Sequence, residues 1–161
     1  MVIILMGVSG SGKTTIGKLL ANSLGWEFSD ADAFHSLKNV EKMRCGIPLT
    51  EADRIPWLRD LQIAIKNWLQ ENKNMVLACS ALKESYRQFL AVDNERIKLV
   101  YLKGSYELIQ KRLQERHNHY MSEKLLDSQF NTLEEPLDTI YIDVIETPQV
   151  IVQNITTALG I

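Results

Sequence analysis

Gly7-Val8-Ser9-Gly10-Ser11-Gly12-Lys13-Thr14 is the stretch on which the fold turns. Val2-Ile3-Ile4-Leu5-Met6 precedes it, a short β-branched run apolar on both faces, which predicts a buried parallel strand. Residues 15–24 follow, with Ile16, Leu19, Leu20 and Leu24 at helical spacing and Gly25 as the stop. Between strand and helix the octapeptide fits G-x-x-x-x-G-K-[ST], a phosphate-binding loop. Glycines let such a backbone curl with its N–H groups inward, and the positive end of the next helix faces the same anion. Gly7, Ser9, Gly10, Ser11, Gly12, Lys13, Thr14 and Thr15 are therefore the expected nucleotide-binding residues. Lys13 is expected at the β- and γ-phosphates of ATP, and the Thr14 hydroxyl on Mg²⁺. No N-K-x-D guanine signature is present, since Asn72-Lys73 continues into Asn74-Met75, so a GTPase is disfavoured.

Working outward, residues 26–29 predict a second strand. Gly46 and Pro48 break a helical stretch, and Thr50 with Asp53 resembles a capping arrangement ahead of Leu58, Leu61, Ile65, Trp68 and Leu69. Further strands are predicted over 75–79, 97–102 and 140–144, and helices over 80–90, 105–116 and from Leu125 to Leu133. Thr147 and Pro148 open a last helix. Alternation of this kind predicts an α/β fold: a parallel five-stranded sheet with helices on both faces, a substrate-binding helical segment at about 33–70 and a lid at about 112–136.

The 161 residues suit one domain, 1–161. A net charge of -2 provides no field for nucleic acid or an anionic membrane, so neither partner is expected. The opening apolar run is too short for a signal peptide or a membrane span, and Cys79 in its apolar run reads as a buried reduced thiol, so the expected location is cytoplasmic.

Asp30-Ala31-Asp32 ends the second strand, where parallel sheets bind ligands. Two carboxylates at i, i+2 can face one crevice; one can hold Mg²⁺ through water and the other accept the proton of an attacking hydroxyl. The working assignment gives the metal to Asp30 and the base to Asp32.

The blocks Asp30-Ala31-Asp32-Ala33-Phe34-His35, Gly46-Ile47-Pro48-Leu49, Asp53-Arg54-Ile55-Pro56-Trp57-Leu58 and Cys79-Ser80-Ala81-Leu82-Lys83 carry a resemblance to the gluconokinase family. It continues through Asn39, Lys42-Met43, Tyr86-Arg87, His119, Ser128-Gln129 and Thr132-Leu133-Glu134-Glu135-Pro136. Wider relatives are shikimate kinase and the nucleoside monophosphate kinases. The family often has Gly, Leu and Pro where Ala31, Phe34 and Ser36 stand, which bears on pocket shape. The resemblance implies transfer of the ATP γ-phosphoryl group to the terminal hydroxyl of D-gluconate, and suggests a homodimer. Gluconate needs a cation for its carboxylate. Arg54 is the leading partner, because a guanidinium pairs with a carboxylate through two parallel bonds. Asp32, His35, Ser80, Lys83 and His119 complete the expected substrate set, with Ser80 and Lys83 at the start of the helix after the third strand. In the related kinases lid arginines close over ATP, which implies Arg112 near adenine and Arg116 as a catalytic residue near the transferred phosphoryl group. The alternatives are a kinase for another hydroxy acid such as shikimate, or a non-catalytic nucleotide-binding regulatory protein.

Overall fold

A computed structural model describes residues 1–116 and 123–161, with the Glu123 side chain left aside. The elements run β1 (Val2–Met6), α1 (Lys13–Leu24), β2 (Glu27–Asp30), a 3-10 turn (Ala31–Phe34), α2 (Leu37–Arg44), α3 (Glu51–Gln70), β3 (Met75–Ala78), α4 (Glu84–Leu90), β4 (Ile97–Lys103), α5 (Tyr106–Gln114), α6 (Glu123–Thr132), β5 (Ile140–Asp143) and α7 (Pro148–Leu159). The strands form one parallel sheet in the order β2-β3-β1-β4-β5.

Alternation along β1 splits the core. Val2, Ile4 and Met6 face Trp57, Leu58, Leu61 and Ile65 of α3 with Tyr86 and Leu90 of α4. Ile3 and Leu5 face Ile16 and Leu20 of α1, Ile109 of α5 and Ile151 and Ile155 of α7. Helices therefore cover both faces, which is why β1 is apolar throughout. Because β1 is central, with β3 and β2 on one side and β4 and β5 on the other, the connections switch sides there and the crevice at the carboxyl ends of the strands opens next to the loop after β1.

Three local features differ from the expectations. α1 begins at Lys13, because Gly12 takes a left-handed φ of 97° that lets the loop turn directly into the helix. β2 runs one residue later than predicted, ending on Asp30. The helix after β3 begins at Glu84, so residues 80–83 form a loop with Ala81 at φ 44°. The capping arrangement is a full box: Thr50 Oγ1 accepts from Asp53 N (3.2 Å) and Asp53 Oδ2 accepts from Thr50 N (2.9 Å).

Candidate active site

The loop between β1 and α1 is closed by its own geometry. A Cβ on Gly7 would lie 2.7 Å from Ser11 Oγ and 2.8 Å from the Leu102 carbonyl, at a φ of 154°. A Cβ on Gly10, at φ 84°, would lie 3.0 Å from the Leu113 side chain on α5. Lys13 Nζ folds back to donate to the carbonyls of Gly7 (2.9 Å) and Val8 (3.0 Å). Surrounding protein desolvates this ammonium and lowers its pKa, against the opposing charge of Asp32.

Gly7 and Ser11 act differently from the other loop residues. Gly7 N–H donates to Ser80 O (3.3 Å) and Ser11 N–H to Val8 O (3.2 Å). The Ser11 side chain is buried and its Oγ has no partner among the described residues. Neither residue lines the cleft. Ser9, Gly10, Gly12, Lys13, Thr14 and Thr15 line it.

That cleft, about 250 Å³, joins the loop to the expected acceptor residues. Asp30, Asp32, His35, Arg54, Ser80 and Arg116 all line it. Asp30 Oδ2 accepts from Thr14 Oγ1 (2.9 Å), and its Oδ1 accepts from the Asp32 amide (2.9 Å). Asp32 is open to the cleft yet ringed by protein. This desolvation, reinforced by the Asp30 charge, raises its pKa, while Lys13 opposes the rise. The Thr14–Asp30 pair fits a Mg²⁺ ion held mostly by phosphates and water. Among the described residues no group of three or more His, Cys, Asp or Glu side chains could hold a metal by itself.

The opposite wall is built by short-range contacts. His35 stacks on Trp57, with ring centroids 4.5 Å apart and planes 10° apart. Trp57 Nε1 donates to Ala31 O (2.8 Å). Buried Asn39 donates through Nδ2 to the Asp53 carbonyl (2.9 Å) and to His35 Nδ1 (3.2 Å), which leaves the proton of the neutral ring on Nε2. Burial, with Arg54 nearby, lowers the His35 pKa to about 4, so the ring is neutral at pH 7. Lys42 pairs with Asp53 at 2.8 Å and, with the Thr50 amide, holds its pKa down at about 2.

Two expected residues stand apart. Lys83, at the N-cap of α4, donates to Glu51 (2.6 Å) and does not line the cleft. The helix starts later than predicted, and that turns Lys83 toward α3. Arg112 donates to the Val144 carbonyl just past β5 and likewise does not line the cleft. His119 lies outside the described residues.

Two residues to which the sequence reading gave no role hold the site together. Gln129 of α6 lines the cleft, and its Oε1 accepts from Ser9 N–H at 2.6 Å, tying the segment after the lid to the phosphate loop. Arg87 of α4 is buried and donates to the carbonyls of Ala81 (2.8 Å), Leu82 (3.1 Å) and Glu134 (2.7 Å) and to Glu84 (2.8 Å). Both fall inside blocks that carry the resemblance, which is the one signal that singles them out. Cys79 is buried, and burial pushes its thiol up to about 12, which leaves it no role as a nucleophile.

The Shikimate kinase family model matches residues 9–159. A gluconokinase of Arabidopsis thaliana is 42% identical, over 96% of this chain and 89% of its own. The thermosensitive gluconokinase of Escherichia coli (strain K12) is 43% identical, over 88% of this chain and 78% of its own. The crystal structure of a gluconokinase from Sinorhizobium meliloti 1021 superposes with a TM-score of 0.86 at 38% identity, covering 98% of this chain and 90% of that one. With a phosphate loop, a carboxylate pair and an arginine-bearing wall sharing one cleft, the chain belongs to the gluconokinase family, within the shikimate kinase-like P-loop kinases.

Proposed function

We propose that this enzyme transfers the γ-phosphoryl group of ATP to the terminal hydroxyl of D-gluconate, giving 6-phospho-D-gluconate. The observation that carries the reading is the shared cleft: Asp32, with its raised pKa, lines it together with the phosphate loop and with Arg54, His35 and Ser80. A polyhydroxy acid laid across that wall puts its carboxylate at Arg54 and its far hydroxyl at Asp32. Asp32 orients this hydroxyl and takes its proton. His35, neutral and fixed by Trp57 and Asn39, serves a substrate hydroxyl as a donor through Nε2. Lys13 leaves the loop carbonyls for the phosphates, and Arg116 offsets charge on the transferred group. Bound Mg²⁺ would add charge neutralisation, with Thr14 as its protein ligand and Asp30 holding it through water. Arg112 is assigned to the adenine side, a reading supported by its bond to the Val144 carbonyl just past β5. A cytoplasmic location is the reading that the free, buried Cys79 thiol supports. No helix among the described residues is long and apolar enough to cross a membrane.

The test is a coupled ADP-release assay with ATP, Mg²⁺ and a panel of sugar acids plus shikimate. Gluconate should give the highest kcat/KM. A higher kcat/KM on shikimate, or ADP release that no acid accelerates, would overturn the reading.

A further inference from the structure

At the rim of the cleft a single oxygen collects three partners. Glu51 Oε1 accepts from Lys83 Nζ at 2.6 Å and from Tyr86 OH at 2.7 Å, and lies 3.6 Å from Arg54 Nη1. Arg54 Nη1 also donates to Tyr86 OH at 3.0 Å. Arg54 and Tyr86 line the cleft; Glu51, which pairs with both, and Lys83, which donates to Glu51, are outside its lining. Two cations and a phenol converging on one carboxylate oxygen already make a carboxylate-binding arrangement, and a protein side chain fills it. Glu51 is the first residue of α3 and Lys83 the N-cap of α4, so the rim is set by two helix starts and not by a mobile tail.

We propose that Glu51 is a specificity-determining residue: it stands in for the substrate carboxylate at the Arg54–Tyr86–Lys83 rim and trims the charge there to a net of one positive unit. The inference rests on the reading that Arg54 receives the gluconate carboxylate. Without Glu51, Arg54 and Lys83 would present two uncompensated cations, a rim better suited to doubly charged acids than to a monocarboxylate. With Glu51, an entering carboxylate competes for donors that are already engaged, so only an acid that also satisfies the hydroxyl-binding wall is held well. Glu51 thereby gives up affinity for anions in general and gains preference for a singly charged, polyhydroxylated one.

A charge series tests this. Glu51→Gln keeps a hydrogen-bond acceptor for Lys83 and Tyr86 but raises the rim charge by one; Lys83→Gln lowers it by one. Gluconate KM is expected to fall about three- to tenfold in Glu51→Gln and to rise by a similar factor in Lys83→Gln. Competitive inhibition by the six-carbon dicarboxylic acid should tighten more than the gluconate KM falls in Glu51→Gln. The KM for ATP should stay within about twofold in both. A structural role for Glu51 predicts the opposite sign, because Arg54 and Lys83 would lose their anchor and gluconate KM would rise. Arg54→Ala separates the two levels of the argument. An unchanged gluconate KM in Arg54→Ala refutes the carboxylate assignment itself. A raised KM there, together with a raised or unchanged KM in Glu51→Gln, refutes the role of Glu51 alone. If Glu51→Gln fails to fold, an unchanged KM in Lys83→Gln is enough to overturn the proposal.

Discussion

Replacing Arg87 with Met keeps an aliphatic side chain in the core and removes the guanidinium. Four acceptors lose a donor: the carbonyls of Ala81, Leu82 and Glu134, and the Glu84 carboxylate. They do not weigh equally. Glu84 is half exposed and water replaces its partner. Leu82 O keeps the Glu134 N–H at 2.8 Å. Glu134 is exposed, so water can reach its carbonyl as well. Ala81 O is left, in a buried residue, and an unsatisfied buried polar group costs about 1–3 kcal/mol. Against this, Arg87 Nε is buried with no partner among the described residues, so the wild-type site already carries part of such a cost. The expected loss is therefore about 2 kcal/mol. Urea denaturation should show a lower midpoint at an unchanged m-value. The lost bonds also fix the loop that brings Ser80 and Leu82 to the cleft, so gluconate KM should rise more than ATP KM. A loss below about 1 kcal/mol with unchanged gluconate KM would show that water substitutes for the guanidinium, and would refute this account.

Lys13→Ala should remain folded by circular dichroism and lose most transferase activity; wild-type turnover in a folded variant would sink the phosphate-loop assignment. Asp32→Asn should retain ATP binding while turnover falls by roughly 10²–10⁴, whereas the defect of Asp30→Asn should respond to Mg²⁺. Kinetics of both variants across a magnesium titration test this, and magnesium rescue of Asp32→Asn alone would reverse the two roles. His35 titrates at about 4 in the fold, below its ordinary value of 6.5. Between those values the unfolded chain binds more protons, so stability is full above about pH 6.5 and declines toward pH 4. Thermal melts across that window should show a shallower decline for His35→Phe, and parallel curves would exclude the coupling.

The phosphate loop and the sheet order around it are legible because local sequence dictates them. Strand, glycine turn and helix are contiguous, and each residue's requirement is met by its neighbours. The acceptor loop is not legible in the same way. Ala81 takes a left-handed φ while Arg87 and Glu134 grip the carbonyls and amides around it, so a helical reading of 80–83 gives way to tertiary contacts. Lys83 turns toward Glu51, 32 residues away, a pairing that neither residue advertises. Gln129 reaches Ser9 across 120 residues; on an amphipathic helix it looks like any polar position.

The wall opposite the phosphate loop has a different ancestry of contacts. Ala31, His35, Asn39, Lys42, Thr50, Asp53 and Trp57 bond or stack almost entirely with one another, inside a stretch of 27 residues. A segment that closes on itself in this way behaves as a cassette. Evolution can exchange most of it, keeping Asp32, to change which alcohol is offered to ATP, while the loop, Asp30 at the end of β2 and the sheet beneath are inherited intact. Diversification of acceptors on this scaffold then falls mainly on one contiguous stretch, with Ser80, Lys83 and Tyr86 as its few partners elsewhere in the chain.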